Sequence, residues 1–214
     1  VSSSAGCLIT FEGPEGSGKT TLIAALAERL RLAGTEPVLL REPGGTAIGE
    51  QVRNILLDLG SEQMCGETEL LLMVACRAQL VREKILPALA AGAVILCDRF
   101  ADASTAYQGF GRELGAQTVR VVNQVALAGL VPDLTFLCML PPQVGQARLV
   151  GRHTDRLDRE SIGFHAAVYR GYQNLAGSGD PRFRVIDATA PPAAMLAEVL
   201  DHLDKLEHGL LSGL

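Results

Sequence analysis

The sequence predicts an α/β fold: a five-stranded parallel sheet with helices on both faces. Two observations carry this. Short apolar runs alternate with helical stretches along the whole chain. Polar clusters also follow directly on three of the apolar runs, as expected where sheet strands end at a ligand site. The strands are expected at 7–12, 37–41, 93–97, 133–139 and 183–187. The first helix spans 18–33, with Leu22, Leu26, Ala27 and Leu30 as its apolar stripe and Gly34 as its stop. A second spans 46–59, and a long, strongly apolar one spans 67–91. Further helices are expected at 101–108, 115–130, 143–151, 159–176 and 192–207. No repeat, low-complexity tract or long linker divides residues 1–214, so a single domain is the economical reading.

The bulk properties exclude several classes of function. Apolar residues make up 48% and charged residues 20%, ordinary values for a soluble globular chain. A net charge of −5 argues against a nucleic-acid-binding surface. The apolar stretches are interrupted well short of the roughly 20 residues of a membrane span, and Val1 to Gly6 has no signal-peptide character. Five cysteines without a C-x-x-C pair read as reduced, buried thiols of a cytoplasmic protein. The four histidines have no metal-ligand spacing.

Chemistry enters at the end of the first strand. Gly13, Pro14, Glu15, Gly16, Ser17, Gly18, Lys19 and Thr20 form G-x-x-x-x-G-K-T between an apolar run and a helix, with Thr21 next in line. The glycines let consecutive amide groups converge on phosphate oxygens, Lys19 adds a mobile charge, and the Thr20 hydroxyl can ligate Mg²⁺. A nucleotide triphosphate with Mg²⁺ is therefore expected, on a three-layer fold of the P-loop NTPase type. Asp98, after Ala93-Val94-Ile95-Leu96-Cys97, has the position of a Walker B carboxylate that reaches the metal; its plainer reading is a helix cap. Arg99 beside it can lie between two phosphoryl groups.

The second strand ends in Arg41-Glu42-Pro43-Gly44-Gly45-Thr46, and Arg53 lies two helical turns further on, able to point back. Arg77 sits four residues after Met73 inside the apolar helix, so the two share a face. A guanidinium there needs a carboxylate or a ligand, and a ligand is the reading favoured. From 148 to 160 the chain carries Arg148, Arg152, Asp155, Arg156, Asp158, Arg159 and Glu160. Arginines 148, 152 and 156 are spaced so that on a helix they would stack like charges at a cost; the segment is either a solvated face or a mobile lid that brings charge over phosphates. The loop 13–20 contains no arginine of its own, which favours the lid.

Together these motifs resemble the bacterial thymidylate kinase family over essentially the whole chain. The most specific parts are Arg41-Glu42-Pro43-Gly44-Gly45-Thr46, then Asp98-Arg99-Phe100 with Ser104 and Ala106-Tyr107-Gln108-Gly109, then Pro132-Asp133-Leu134-Thr135. The resemblance implies γ-phosphoryl transfer from ATP to dTMP on the route to dTTP, and usually a homodimer, for which helices 67–91 and 115–130 offer apolar surface. It implies that Glu15 faces the sugar 3′-hydroxyl and that Arg53 and Arg99 hold the acceptor phosphate. Arg77 and Ser104 would read the thymine edge with Gln108 close by, Tyr107 would pack on the deoxyribose and Pro43 on the base. Met73 stands where the family often has a stacking Phe. The same resemblance makes Lys19, Arg99, Glu15 and the lid residues Arg152 and Arg156 the catalytic set, with Asp155-Arg156 as the lid pair.

Overall fold

The computed structural model describes residues 6–151 and 154–205. Strands β1 (Cys7–Glu12), β2 (Val38–Arg41), β3 (Val94–Asp98), β4 (Leu134–Met139) and β5 (Phe183–Asp187) form one parallel sheet in the order β2-β3-β1-β4-β5. Both faces are covered, which is why β1, β3 and β4 read as continuous apolar runs rather than as alternations. Ile9, Phe11, Leu96 and Phe136 point to one face, where Leu22, Leu26 and Leu30 of α1 (Lys19–Leu32) and Met195, Val199 and Leu203 of α9 (Pro192–Asp204) cover them. On the other face Leu8, Ile95 and Cys97 meet Leu80, Val81 and Ile85. There too Leu137 packs on Val168 and Tyr172 of α8 (Ile162–Ala176).

The register levels the strand ends. Phe11 and Arg41 both pair with Asp98, so β1, β2 and β3 deliver their following loops to one edge. Three further helices frame that edge: α2 (Ala47–Leu57), α3 (Gly66–Leu80) and α6 (Ala116–Leu127). The long apolar helix is α3 continued through a π turn at Val81–Ile85 into α4 (Leu86–Ala90). After β3, the short α5 (Ala101–Ser104) passes into a second π-helical segment, Thr105–Gly111, three residues beyond the expected end of that helix.

The clearest departure is at 148–160. Helix α7 (Pro142–Leu149) stops before the arginine row is complete. The Asp155 carboxylate accepts from the Leu157 and Asp158 amides at 2.9 and 3.0 Å, and Asp158 accepts from the Asp155 amide at 3.0 Å. These side-chain contacts satisfy the backbone without a helix. Ser161 then caps α8 by accepting from the Phe164 amide at 3.1 Å, so that helix starts at 162, not 159. The described residues 154–161 thus join α7 to α8 without a helix, in the gap left between the helices expected at 143–151 and 159–176. The expectation that all five thiols are buried is corrected, because Cys65 is exposed. Among the described residues no helix is long and apolar enough to cross a membrane.

Candidate active site

The levelled strand ends open into a cleft of about 750 Å³. Its floor at one end is the loop Gly13–Gly18. Gly16 has φ +74°, and a Cβ there would lie 2.7 Å from the Gly145 carbonyl oxygen, so the loop and α7 approach too closely for any side chain. Lys19 folds back into this loop. Its ammonium donates to the carbonyls of Gly13 (3.1 Å) and Pro14 (2.9 Å) and to Ser17 Oγ (3.1 Å). Burial, and next the charge of Arg99, lower its pKa. Thr20 Oγ1 donates to Asp98 Oδ2 at 2.8 Å, and Thr21 lines the cleft beside it. These two hard oxygen groups at the mouth of an anion-binding loop fit a small divalent cation such as Mg²⁺.

The centre of the cleft is an ion pair between Arg99 and Glu15. Arg99 has a left-handed backbone, φ +68°, rare for a residue with a Cβ. Bonds on either side hold it there. The Arg99 amide donates to the Phe11 carbonyl at 2.9 Å, and the Phe100 amide to the buried Glu12 carboxylate at 2.7 Å. The guanidinium also donates to the Gly13 carbonyl (2.9 Å) and to the hydroxyls of Tyr172 and Tyr107 (both 3.1 Å), and lies 5.0 Å above the Tyr107 ring. Tyr107 passes a hydrogen bond on to Glu15 at 3.1 Å. Burial alone would raise the Glu15 pKa, but Arg99, Lys19 and Tyr107 outweigh it and hold the carboxyl at about 2. Burial, with the Asp102 charge second, pushes Glu12 up to about 8.

At the far end, Met73 and Arg77 project from one face of α3, with Pro43, Ser104 and Gln108 around them. The partner of Arg77 is a carboxylate of the fold, not primarily a ligand, which corrects the favoured reading. Its Nε and Nη2 donate to Glu42 Oε2 at 2.9 and 2.5 Å. Nη1 donates to Ser104 Oγ (3.1 Å) and Asn123 Oδ1 (2.5 Å), and Nη2 also to the Phe100 carbonyl (3.1 Å). All five guanidinium protons have acceptors within the chain. Ser104, which accepts from Arg77, lines the cleft. Arg53 points back as expected and donates to the Pro43 carbonyl at 2.7 Å.

A sequence model of the thymidylate kinase family matches residues 11–199. The chain is 47% identical over 192 residues to a thymidylate kinase of Desulfovibrio desulfuricans, covering 86% of this chain and 88% of that one. It is 46% identical over 207 residues to that of Ectopseudomonas mendocina, covering 96% and 97%. The chain belongs to the thymidylate kinase family. A relative from Geobacter sulfurreducens, 47% identical over 205 residues, covers 92% of this chain.

Among the described lid residues, the arginine that reaches the phosphate loop is not the one the family resemblance favours. Arg148 donates to the carbonyls of Gly16 (3.2 Å) and Ala188 (3.0 Å). Arg156 instead turns away from the loop, buried, and donates to the Leu56 carbonyl (2.9 Å) and to Glu69 (2.6 Å). Arg152 lies outside the described residues. Residue-by-residue reading missed Glu42, Glu12, Asn123 and Glu69, each of which serves the cleft through another side chain. Glu69 alone left a signal: it precedes Met73 by four residues and Arg77 by eight, and so lies on the same face of α3.

Proposed function

We propose that this chain transfers the γ-phosphoryl group of ATP to dTMP, giving dTDP and ADP, by in-line displacement without a covalent enzyme intermediate. One observation carries the reading. A single cleft joins a phosphate loop with Lys19, Thr20 and Asp98 at one end to a polar pocket of Arg77, Ser104 and Gln108 at the other, with Arg99 and Glu15 between them. Two ligands meeting head to head would bring their phosphates to Arg99.

In this mechanism the amides of residues 13–21 and Lys19 hold the donor phosphates, and Arg148 adds charge from the lid segment 148–160. Thr20 and Asp98 are the residues that would hold Mg²⁺. Bound there, the ion would neutralise charge on the donor's phosphate oxygens. Arg99 and Arg53 orient the acceptor phosphate while Glu15, ionised, accepts the acceptor's 3′-hydroxyl. Tyr107 packs on the deoxyribose, Pro43 and Met73 cover the base, and Ser104 and Gln108 read its edge, with Arg77 holding Ser104 in place. Rejection of dUMP rests on one methyl group, worth about 10–200-fold.

The test is ADP release with ATP, Mg²⁺ and each of dTMP, dUMP, dGMP, AMP and CMP. Strong stimulation by dTMP, weaker by dUMP and none by the rest is expected; stimulation by another monophosphate overturns the base assignment. We also propose a homodimer. Leu71 of α3, Val121 and Val125 of α6 and Ile48 and Ile55 of α2 are exposed apolar side chains on helices that pack side by side. Sedimentation equilibrium should give a dimer, and Leu71→Glu should weaken it.

A further inference from the structure

Glu69 is a fully buried carboxylate outside the cleft lining, and three donors converge on it. Gln108 Nε2 donates at 2.8 Å, Arg156 Nη2 at 2.6 Å and Arg112 Nη2 at 2.9 Å. Burial works against its charge, but Arg112, Gln108 and Arg156 outweigh it and lower the pKa, so the group is ionised at neutral pH. An ionised carboxylate can only accept hydrogen bonds. Gln108 must therefore present its NH₂ to Glu69. Its carbonyl oxygen, which has no donor among the described residues, is left on the cleft side of the amide. Without Glu69 the amide could turn over, because its two ends are alike in size.

We infer that Glu69 is a positioning residue for base selection. It fixes the Gln108 amide so that the cleft shows a hydrogen-bond acceptor at the height of Met73 and Arg77. The ring that suits an acceptor is one carrying an N–H, as N3 of thymine or uracil does. Cytosine has a lone pair at N3 and would set a nitrogen acceptor against the Gln108 oxygen, with no proton between them. The inference rests on the proposed reading of this pocket as the base site. Arg156 and Arg112 supply the charge that keeps Glu69 ionised, so one end of the lid segment holds the base reader in its working orientation.

The experiment is steady-state kinetics of wild type, Glu69→Gln and Glu69→Asp with dTMP and dCMP. Glu69→Asp keeps the charge for the two arginines but withdraws it from Gln108, and is the variant to use if Glu69→Gln does not fold. Expected is a KM for dTMP raised about tenfold or more, a kcat changed much less and an unaltered KM for ATP. The ratio of kcat/KM for dTMP over dCMP should fall at least tenfold. A folded variant with an unchanged ratio overturns the inference. On the wild type, N3-methyl-dTMP, which lacks the proton, should lose about 100-fold or more in kcat/KM; use as efficient as that of dTMP also overturns it. Absence of any dTMP stimulation in the wild type would instead overturn the parent reading, and with it the premise.

Discussion

Substituting Glu42 by Gln asks how strongly a buried charge depends on its partner. The Arg77 and Glu42 side chains are 1% and 3% exposed, so water screens neither. Two guanidinium protons, on Nε and Nη2, converge on Oε2, while Oε1 is buried with no hydrogen-bond partner among the described residues. A proton on this carboxyl would have to sit on Oε1, where nothing accepts it, so the geometry favours an ionised Glu42 even though burial raises its pKa against the pull of Arg77. Glu42→Gln keeps the shape and one acceptor but leaves the guanidinium charge uncompensated. Removing one partner of such a pair costs about 3–5 kcal/mol. The retained acceptor and the bonds to Ser104, Asn123 and the Phe100 carbonyl argue for the lower end, about 3 kcal/mol. In a chain of this size that is a melting temperature lower by about 6–12 °C.

Urea titrations of wild type and Glu42→Gln at pH 7.5 would measure the difference. A difference below about 1 kcal/mol at pH 7.5 would refute the reasoning. It would mean that Glu42 is already neutral and that Arg77 is held by its neutral acceptors alone.

Glu12 should act in the opposite pH direction to an ordinary ion-paired carboxylate. Its pKa rises from 4.5 to about 8 on folding, so the folded chain holds a proton that the unfolded chain releases, and stability falls as pH climbs through that window. Glu12→Gln should flatten this slope and be the more stable protein at pH 8.5, by about 1–3 kcal/mol, in urea titrations across pH 4–9. Arg148→Ala should lower kcat by about 10²–10³-fold with a smaller change in the KM for dTMP. Gly16→Ala must accept φ +74° with its Cβ 2.7 Å from a backbone oxygen. It should lose about 1–3 kcal/mol of stability and bind ATP more weakly, as thermal melts and calorimetry would show.

What could be read from the sequence was what lies close together along it. The phosphate loop is contiguous, its flanking strand and helix are strongly patterned, and Asp98-Arg99 follows a plain apolar run. Partnerships between distant residues left almost no trace. Nothing in the sequence around Arg77 indicates that its counter-charge lies 35 residues earlier, on a different strand end. In the lid segment, Asp155 and Asp158 are residues that compete with helices by bonding to nearby amides, and here they prevail. Arg156 follows that turn to Glu69 instead of the phosphate loop, a partnership between distant residues that the sequence did not show.

The cations of the cleft divide by the kind of oxygen they hold. Arg99, Arg77 and Arg41 in its lining, and Arg156 beside it, each bond a carboxylate: Glu15, Glu42, Glu50 and Glu69. Among the described residues, Lys19, Arg53 and Arg148 hydrogen-bond only to carbonyls and, for Lys19, a hydroxyl. The second group has no carboxylate bonded to it while its geometry is already constrained, so it concentrates positive potential at two places, the phosphate loop and the Pro43 turn. A phosphate can displace a carbonyl from Lys19 at a modest loss, since one neutral acceptor is exchanged for an anionic one. Displacing a carboxylate returns far less, because one anion replaces another. The carboxylate-bonded arginines are therefore suited to holding shape, with Arg99 the intermediate case. Its Glu15 can turn to a ligand hydroxyl while the guanidinium remains on Tyr107, Tyr172 and the Gly13 carbonyl. Holding the cleft's shape and leaving charge available to an anion are thus both tasks of cationic side chains, in two electrostatic conditions.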